Sequence, residues 1–171
     1  MYRTGHYGAA LLTYAPVGVA LLLVGFEAAG VVGGVGVLAL ARLPDYDLRV
    51  PFVSHRGPTH TLGFALLVGL VVGGALGAIA GARAVGETGL VPGSQTVAVG
   101  AFGFLVGFLA VVSHLLADAL TPAGIEPWWP VSSKNYSLRL VGADSTLGNY
   151  GLLALGVFVS AVSLLVAGPL R

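Results

Sequence analysis

VAVGAFGFLVGFLAVVSHLLADALT, residues 97–121, runs apolar for sixteen positions and then places Ser113, His114 and Asp118 at its end. A run of this length without charge reads as a membrane-spanning helix rather than a strand. On a helix His114 and Asp118 are four residues apart and share a face, with β-carbons roughly 5–6 Å from each other. Ionisable residues at membrane depth are costly unless they are paired or functional. The stretch therefore sets the fold class, a bundle of membrane helices, and marks a candidate site at one end of it.

The rest of the chain agrees with that class. Of 171 residues 56% are hydrophobic and 9% charged, and the mean hydropathy is +0.92, too apolar for an ordinary soluble domain. The formal net charge of +1, with no basic run, gives no reason to expect nucleic acid as a partner. Membrane lipids and small molecules are the expected partners. Cysteine is absent, which excludes disulfides and thiolate chemistry and leaves His, Asp and Glu to hold any metal. One basic residue, Arg3, precedes the first apolar run, and no small-x-small cleavage site leads into a soluble segment, so that run reads as a retained span.

About 20 apolar residues cross a hydrocarbon core of about 30 Å, and five stretches qualify: residues 8–26, 28–43, 60–82, 97–120 and 147–168. The expectation is a single all-α, polytopic membrane domain over residues 1–171, with a long loop on the cytoplasmic side before the last helix. Pro16 suits a kink in the first span. The second span is short, and spans one and two could instead form a shallow re-entrant pair. The connections 44–59 and 121–146 are long and chemically dense. Trp128 and Trp129 in the latter belong at headgroup level, and Asp144, Ser145 and Thr146 are candidate caps for the last helix.

Counting crossings puts His6, Asp45, Asp47, His55, His60, His114 and Asp118 on one side of the membrane. Arg3, Arg42, Arg49, Arg56, Lys134 and Arg139 fall on the same side, leaving Arg83 and Arg171 opposite. The positive-inside bias makes that side cytoplasmic, with the N-terminus inside and the C-terminus outside, in an inner or plasma membrane. Gly69, Gly73, Gly77 and Gly81 form a flat stripe on span three, suited to close packing within the bundle or between protomers of a homo-oligomer.

Asp45 and Asp47 place two carboxylates on one face if the segment is extended, a common way to hold a divalent cation, although taken in isolation a solvated turn after Pro44 is the better reading. In His55-Arg56-Gly57-Pro58-Thr59-His60-Thr61, Pro58 suits a first helical turn and Gly57 frees the chain before it, which places His60 in the first turn of span three. Free N–H groups there, with Arg56, favour an anion such as phosphate; plain interfacial snorkelling of Arg56 is the competing reading. Leu43-Pro44-Asp45-Tyr46-Asp47, this His55–Thr61 segment and the run from His114 to Gly124, with Pro130 and Ser132 downstream, resemble the YdjM-like family of membrane-bound proteins described as metal-dependent hydrolases. The resemblance implies that His6, Asp45, Asp47, His55, His60, His114 and Asp118 are metal-site positions. Thr61 stands where that pattern more often has a serine, which keeps the hydroxyl.

Seven donors exceed the ligands of one catalytic zinc, so one or two divalent ions, zinc or manganese, are expected. His114, Asp118, Asp45 and His60 are assigned to the first ion, and His6, Asp47 and His55 to a second ion or to orienting the first set. Asp47 is the candidate general base, and Arg56 and Lys134 the candidates to steady an anionic substrate. The expected activity is hydrolysis of a phosphoester in a lipid-like substrate at the cytoplasmic leaflet. A non-enzymatic metal- or ion-handling protein, or a scaffold with a structural metal, is the alternative.

Overall fold

The structure, a computed structural model, describes residues 1–49, 56–88 and 93–167. Five α-helices follow in order: α1 Arg3–Leu23, α2 Glu27–Leu40, α3 Leu62–Thr88, α4 Ser94–Ala119 and α5 Thr146–Ala167. Two 3₁₀ segments, Pro44–Arg49 and Pro58–His60, lie between α2 and α3. The described residues form no named strand, only a single bridge between Ile125 and Tyr136. All five helical stretches are long and apolar enough to cross a membrane, the second when Glu27–Arg49 is counted through its 3₁₀ extension. Large apolar side chains such as Val32, Leu70, Phe158 and Leu165 point outward, as lipid-facing positions must when the surrounding solvent is hydrocarbon.

Glycines set the helix spacing. A β-carbon on Gly73 would lie 2.7 Å from the Gly100 carbonyl, and one on Gly107 would lie 2.9 Å from that of Val68. The Gly69/Gly73/Gly77 stripe therefore faces α4 of the same chain, where Phe104 and Gly100 fill the space opposite it. On the other side α1 packs on α5, where a β-carbon at Gly156 would lie 2.7 Å from the Gly8 carbonyl. Tyr14 ties α1 to α2 by donating its hydroxyl to the Gly30 carbonyl at 3.0 Å. Its ring lies in the notch left by Gly33. Ala10, Tyr14, Val37, Ala41, Val106 and Ala110 make one buried cluster among α1, α2 and α4; Ala65, Val68, Val111, Leu115 and Ile125 make a second around α3 and α4.

Several boundaries depart from the hydropathy reading, with consequences for the site. α1 begins at Arg3, not near residue 8, so His6 sits inside the helix. α2 stops at Leu40, and the chain turns in through Pro44–Arg49, carrying Asp45 and Asp47 with it. His60 ends a separate 3₁₀ turn and is not in the first turn of α3. Thr61 is extended, with φ −125° and ψ 158°. Its hydroxyl accepts from the Phe64 N–H at 3.1 Å, the geometry of an N-cap. Ser145 caps α5 in the same way through the Gly148 N–H at 3.1 Å. The loop after α4 folds back on it: the N–H groups of Leu138 and Leu140 donate to the carbonyls of Ala119 and Leu120 at 2.8 and 2.9 Å. Those acceptors would otherwise be orphaned at the helix C-terminus.

Candidate metal centre

The start of α1, the segment after α2, the turn before α3 and the end of α4 meet at one end of the bundle, and their polar side chains converge there. His114 and Asp118 come from the last two turns of α4 and are 0% and 1% exposed. The C-terminal carbonyl of Ala41, just past α2, accepts a hydrogen bond from His114 Nδ1 at 2.8 Å. Because a carbonyl can only accept, the proton sits on Nδ1, leaving the Nε2 lone pair aimed into the cluster. One contact thus caps α2 and fixes the imidazole.

His60 is held the same way by different groups. Its Nδ1 is 3.0 Å from Thr59 Oγ1 and 3.4 Å from Asp47 Oδ2. Thr59 Oγ1 donates to Asp47 Oδ2 at 2.8 Å, and the Arg56 N–H donates to the same oxygen at 3.3 Å. A carboxylate behind the ring places the proton on Nδ1 and turns Nε2 inward. The two Nε2 atoms of His60 and His114 are 3.1 Å apart. With both protons held on the far sides, two lone pairs face each other across a gap suited to a cation.

Asp45 and Asp118 complete the ring of donors. Asp45 Oδ1 lies 3.5 Å from His114 Nε2 and 3.9 Å from His60 Nε2. Asp118 Oδ2 lies 3.6 Å from each of the same nitrogens. The second oxygen of each carboxylate is turned to His6, whose Nε2 is 3.9 Å from both Asp45 Oδ2 and Asp118 Oδ1. The His6 ring stacks parallel on that of His114, centroids 3.9 Å apart, and its buried Nδ1 has no hydrogen-bond partner among the described residues. Two overlapping groups, His6/His114/Asp118 and Asp45/His60/His114, could each hold a metal ion.

Arg56 closes one side. It adopts φ +64°, an uncommon conformation for a residue with a β-carbon. Its guanidinium donates to Asp118 Oδ1 at 3.2 Å and to the Gly124 carbonyl at 2.9 Å. The Met1 amino group also reaches Asp118 Oδ1, at 3.2 Å. Of the residues singled out in the sequence, His6, Asp45, Asp47, His60, His114, Asp118 and Arg56 are brought together. His55 lies outside the described residues. Lys134 is exposed, its ammonium 5.2 Å over the Tyr136 ring, and is not among the residues lining the cavity beside the cluster.

Two contributors were missed in the sequence. Asn149 is fully buried on α5 and anchors the start of α1, accepting from the Tyr2 N–H at 2.9 Å and donating to the Ser145 and Ala143 carbonyls. Its place in the first turn of the last span, where apolar residues dominate, was the available signal. Arg42 lines the cavity beside the cluster. The sequence marks it only as one of the basic residues on the site side of the membrane.

An all-helical membrane protein with a buried His/Asp cluster at one end of its bundle is the class that fold and site define. The family described as YdjM inner membrane protein matches residues 1–169, and the chain belongs to that family. Comparison with curated proteins and with solved structures found no match.

Proposed function

We infer that this protein is a membrane-embedded, metal-dependent hydrolase acting on a phosphoester of a lipid-like substrate. The observation that carries the reading is the spacing of four donors. His60 Nε2, His114 Nε2, Asp45 Oδ1 and Asp118 Oδ2 lie 3.1 to 3.9 Å apart in five of their six pairings. Asp45, His60 and His114 form a group that could hold a metal ion, Asp118 Oδ2 lies 3.6 Å from both nitrogens, and the all-nitrogen-and-oxygen chemistry suits zinc or manganese. These four are assigned as its ligands.

His6, with the outer oxygens of Asp45 and Asp118 3.9 Å from its Nε2, would be the start of a second donor set. A divalent ion held here supplies Lewis acidity and a water acidified towards neutrality. The chain's own groups do the rest. Asp47 holds the His60 ring and its proton in place, a positioning role that competes with the alternative of general base. Arg56 offers its guanidinium to an anionic substrate beside Asp118. We assign site and N-terminus to the cytoplasmic headgroup level on the bias of Arg and Lys towards that side; there a phosphoester can be reached without extracting the lipid from the bilayer.

The test is elemental analysis of detergent-purified protein beside His114→Ala and Asp118→Asn, with hydrolysis of lipid phosphoesters followed in parallel. Near-stoichiometric metal and turnover in the wild type, both lost in folded variants, are expected. Equal, substoichiometric metal in all three proteins refutes the metal site. Metal without turnover, together with unfolding of His114→Ala, favours a structural ion in a non-enzymatic protein.

A further inference from the structure

A cavity of about 480 Å³ opens beside the cluster, walled by Arg3, Arg42 and Arg56 together with Asp45, Asp118 and Thr4. Behind that wall two buried donors of lining residues, Arg42 Nε and Thr4 Oγ1, have no hydrogen-bond partner among the described residues. Three guanidinium groups, one of them already on Asp118, against two carboxylates leave the lining net basic, which suits an anion. Guanidinium forks match phosphate oxygens in particular.

Further along α1 a second space of about 190 Å³ lies between α2 and α5, with α1 as its floor. Tyr14 and Gly18 of α1, Gly30 and Gly34 of α2, and Ser163 and Leu164 of α5 line it. Polar atoms are nearly absent: Tyr14 gives its hydroxyl to Gly30 and Ser163 gives its own to the Val159 carbonyl. The same three-sided arrangement holds at the polar cavity, which has Thr4 of α1, Arg42 after α2 and Tyr150 of α5 on its walls. From Thr4 to Leu11, where the apolar cleft begins, α1 rises about 10 Å. A basic chamber beside the metal donors and an apolar cleft below it thus share one face of one helix.

We propose that the two spaces form one binding site for a phosphate-bearing membrane amphiphile, with the phosphate among Arg3, Arg42 and Arg56 and the hydrocarbon chain in the cleft between α2 and α5. Charge complementarity selects the head, and the apolar walls of the cleft take the tail. The proposal rests on the metal-site reading only in setting the phosphate beside the ion, and it is judged by binding, not by turnover.

Purified protein in nanodiscs is titrated with dodecyl phosphate, inorganic phosphate and dodecyltrimethylammonium, and binding is read from the thermal unfolding midpoint. Dodecyl phosphate is expected to bind at least about tenfold more tightly than inorganic phosphate, and the cationic amphiphile not to protect. Arg42→Gln removes the preference for phosphate over the cationic head. Gly34→Leu fills the cleft from a position where a β-carbon meets the Tyr14 ring at an ordinary 3.5 Å; it brings dodecyl phosphate down to the affinity of inorganic phosphate, and Ser163→Phe does the same from the α5 wall. Equal binding of dodecyl and inorganic phosphate, or chain-dependent binding that survives both cleft variants, overturns the proposal, as does equal protection by the cationic amphiphile. Intact binding without turnover of the same amphiphile would instead sink the hydrolase reading and leave this site standing.

Discussion

Asp47→Asn separates the two roles open to this carboxylate. Asp47 is 3% exposed, and its Oδ2 faces Thr59 Oγ1 at 2.8 Å, His60 Nδ1 at 3.4 Å and the Arg56 N–H at 3.3 Å. All three contacts lie behind the His60 ring, away from the Nε2 that faces His114. Asparagine keeps the shape and, with its carbonyl oxygen turned to Arg56 and Thr59, keeps an acceptor there while removing the charge. The His60 ring then keeps an acceptor at the same position but loses the negative charge that made Nε2 a stronger donor. Loss of such an outer partner typically weakens metal binding 10- to 100-fold, about 1.4–2.7 kcal/mol. The assay is metal occupancy at buffered free metal across three decades, beside initial rates on a chromogenic phosphoester at saturating metal. The expected outcome is a rightward shift of the occupancy curve, with rates largely recovered once the site is full. Unchanged metal affinity with a rate down 10²-fold or more at full occupancy would falsify the positioning role and return Asp47 to that of general base.

Two packing predictions follow from the same geometry. Gly156→Val puts a β-carbon 2.7 Å from the Gly8 carbonyl, a backbone atom that cannot move aside; it should part α1 from α5 and cost about 1–3 kcal/mol or more. Gly74→Ala, where nothing lies within 4 Å, is the control and should leave the thermal midpoint in detergent unchanged or higher; equal losses in both would refute the packing account. Asn149→Ala removes the acceptor of the Tyr2 N–H and the donor to Ser145 and Ala143, at about 1–3 kcal/mol. Because His6 lies only four residues beyond Tyr2, the N-cap of α1, metal retention should fall with the midpoint, and wild-type occupancy in this variant would show that α1 is held by other contacts.

The spans were legible because hydrocarbon leaves the backbone few options. A run such as 97–112, without a charge, has to satisfy its own hydrogen bonds as a helix. The meeting of distant residues was legible for a related reason: with five crossings and short or bland turns on the other side, His6, Asp45, His60, His114 and Asp118 had one end of the bundle to share. Helix boundaries were less legible. Hydropathy reports where lipid begins, whereas helical dihedrals continue through Arg3, Thr4 and His6 regardless of polarity, and α2 stops early where Pro44 follows.

Sequence by itself determined the class of fold, the inventory of donors and the end of the bundle where they lie, since each depends on composition and on the count of crossings. Tertiary structure alone decided which nitrogen of each imidazole faces inward, because that depends on the Ala41 carbonyl behind His114 and on Asp47 and Thr59 behind His60. It also decided that Asp45 and Asp118 each turn one oxygen to the His60/His114 pair and the other to His6. Such angular relations are set by helix packing at glycine contacts, across distances in the chain that no local pattern of residues encodes.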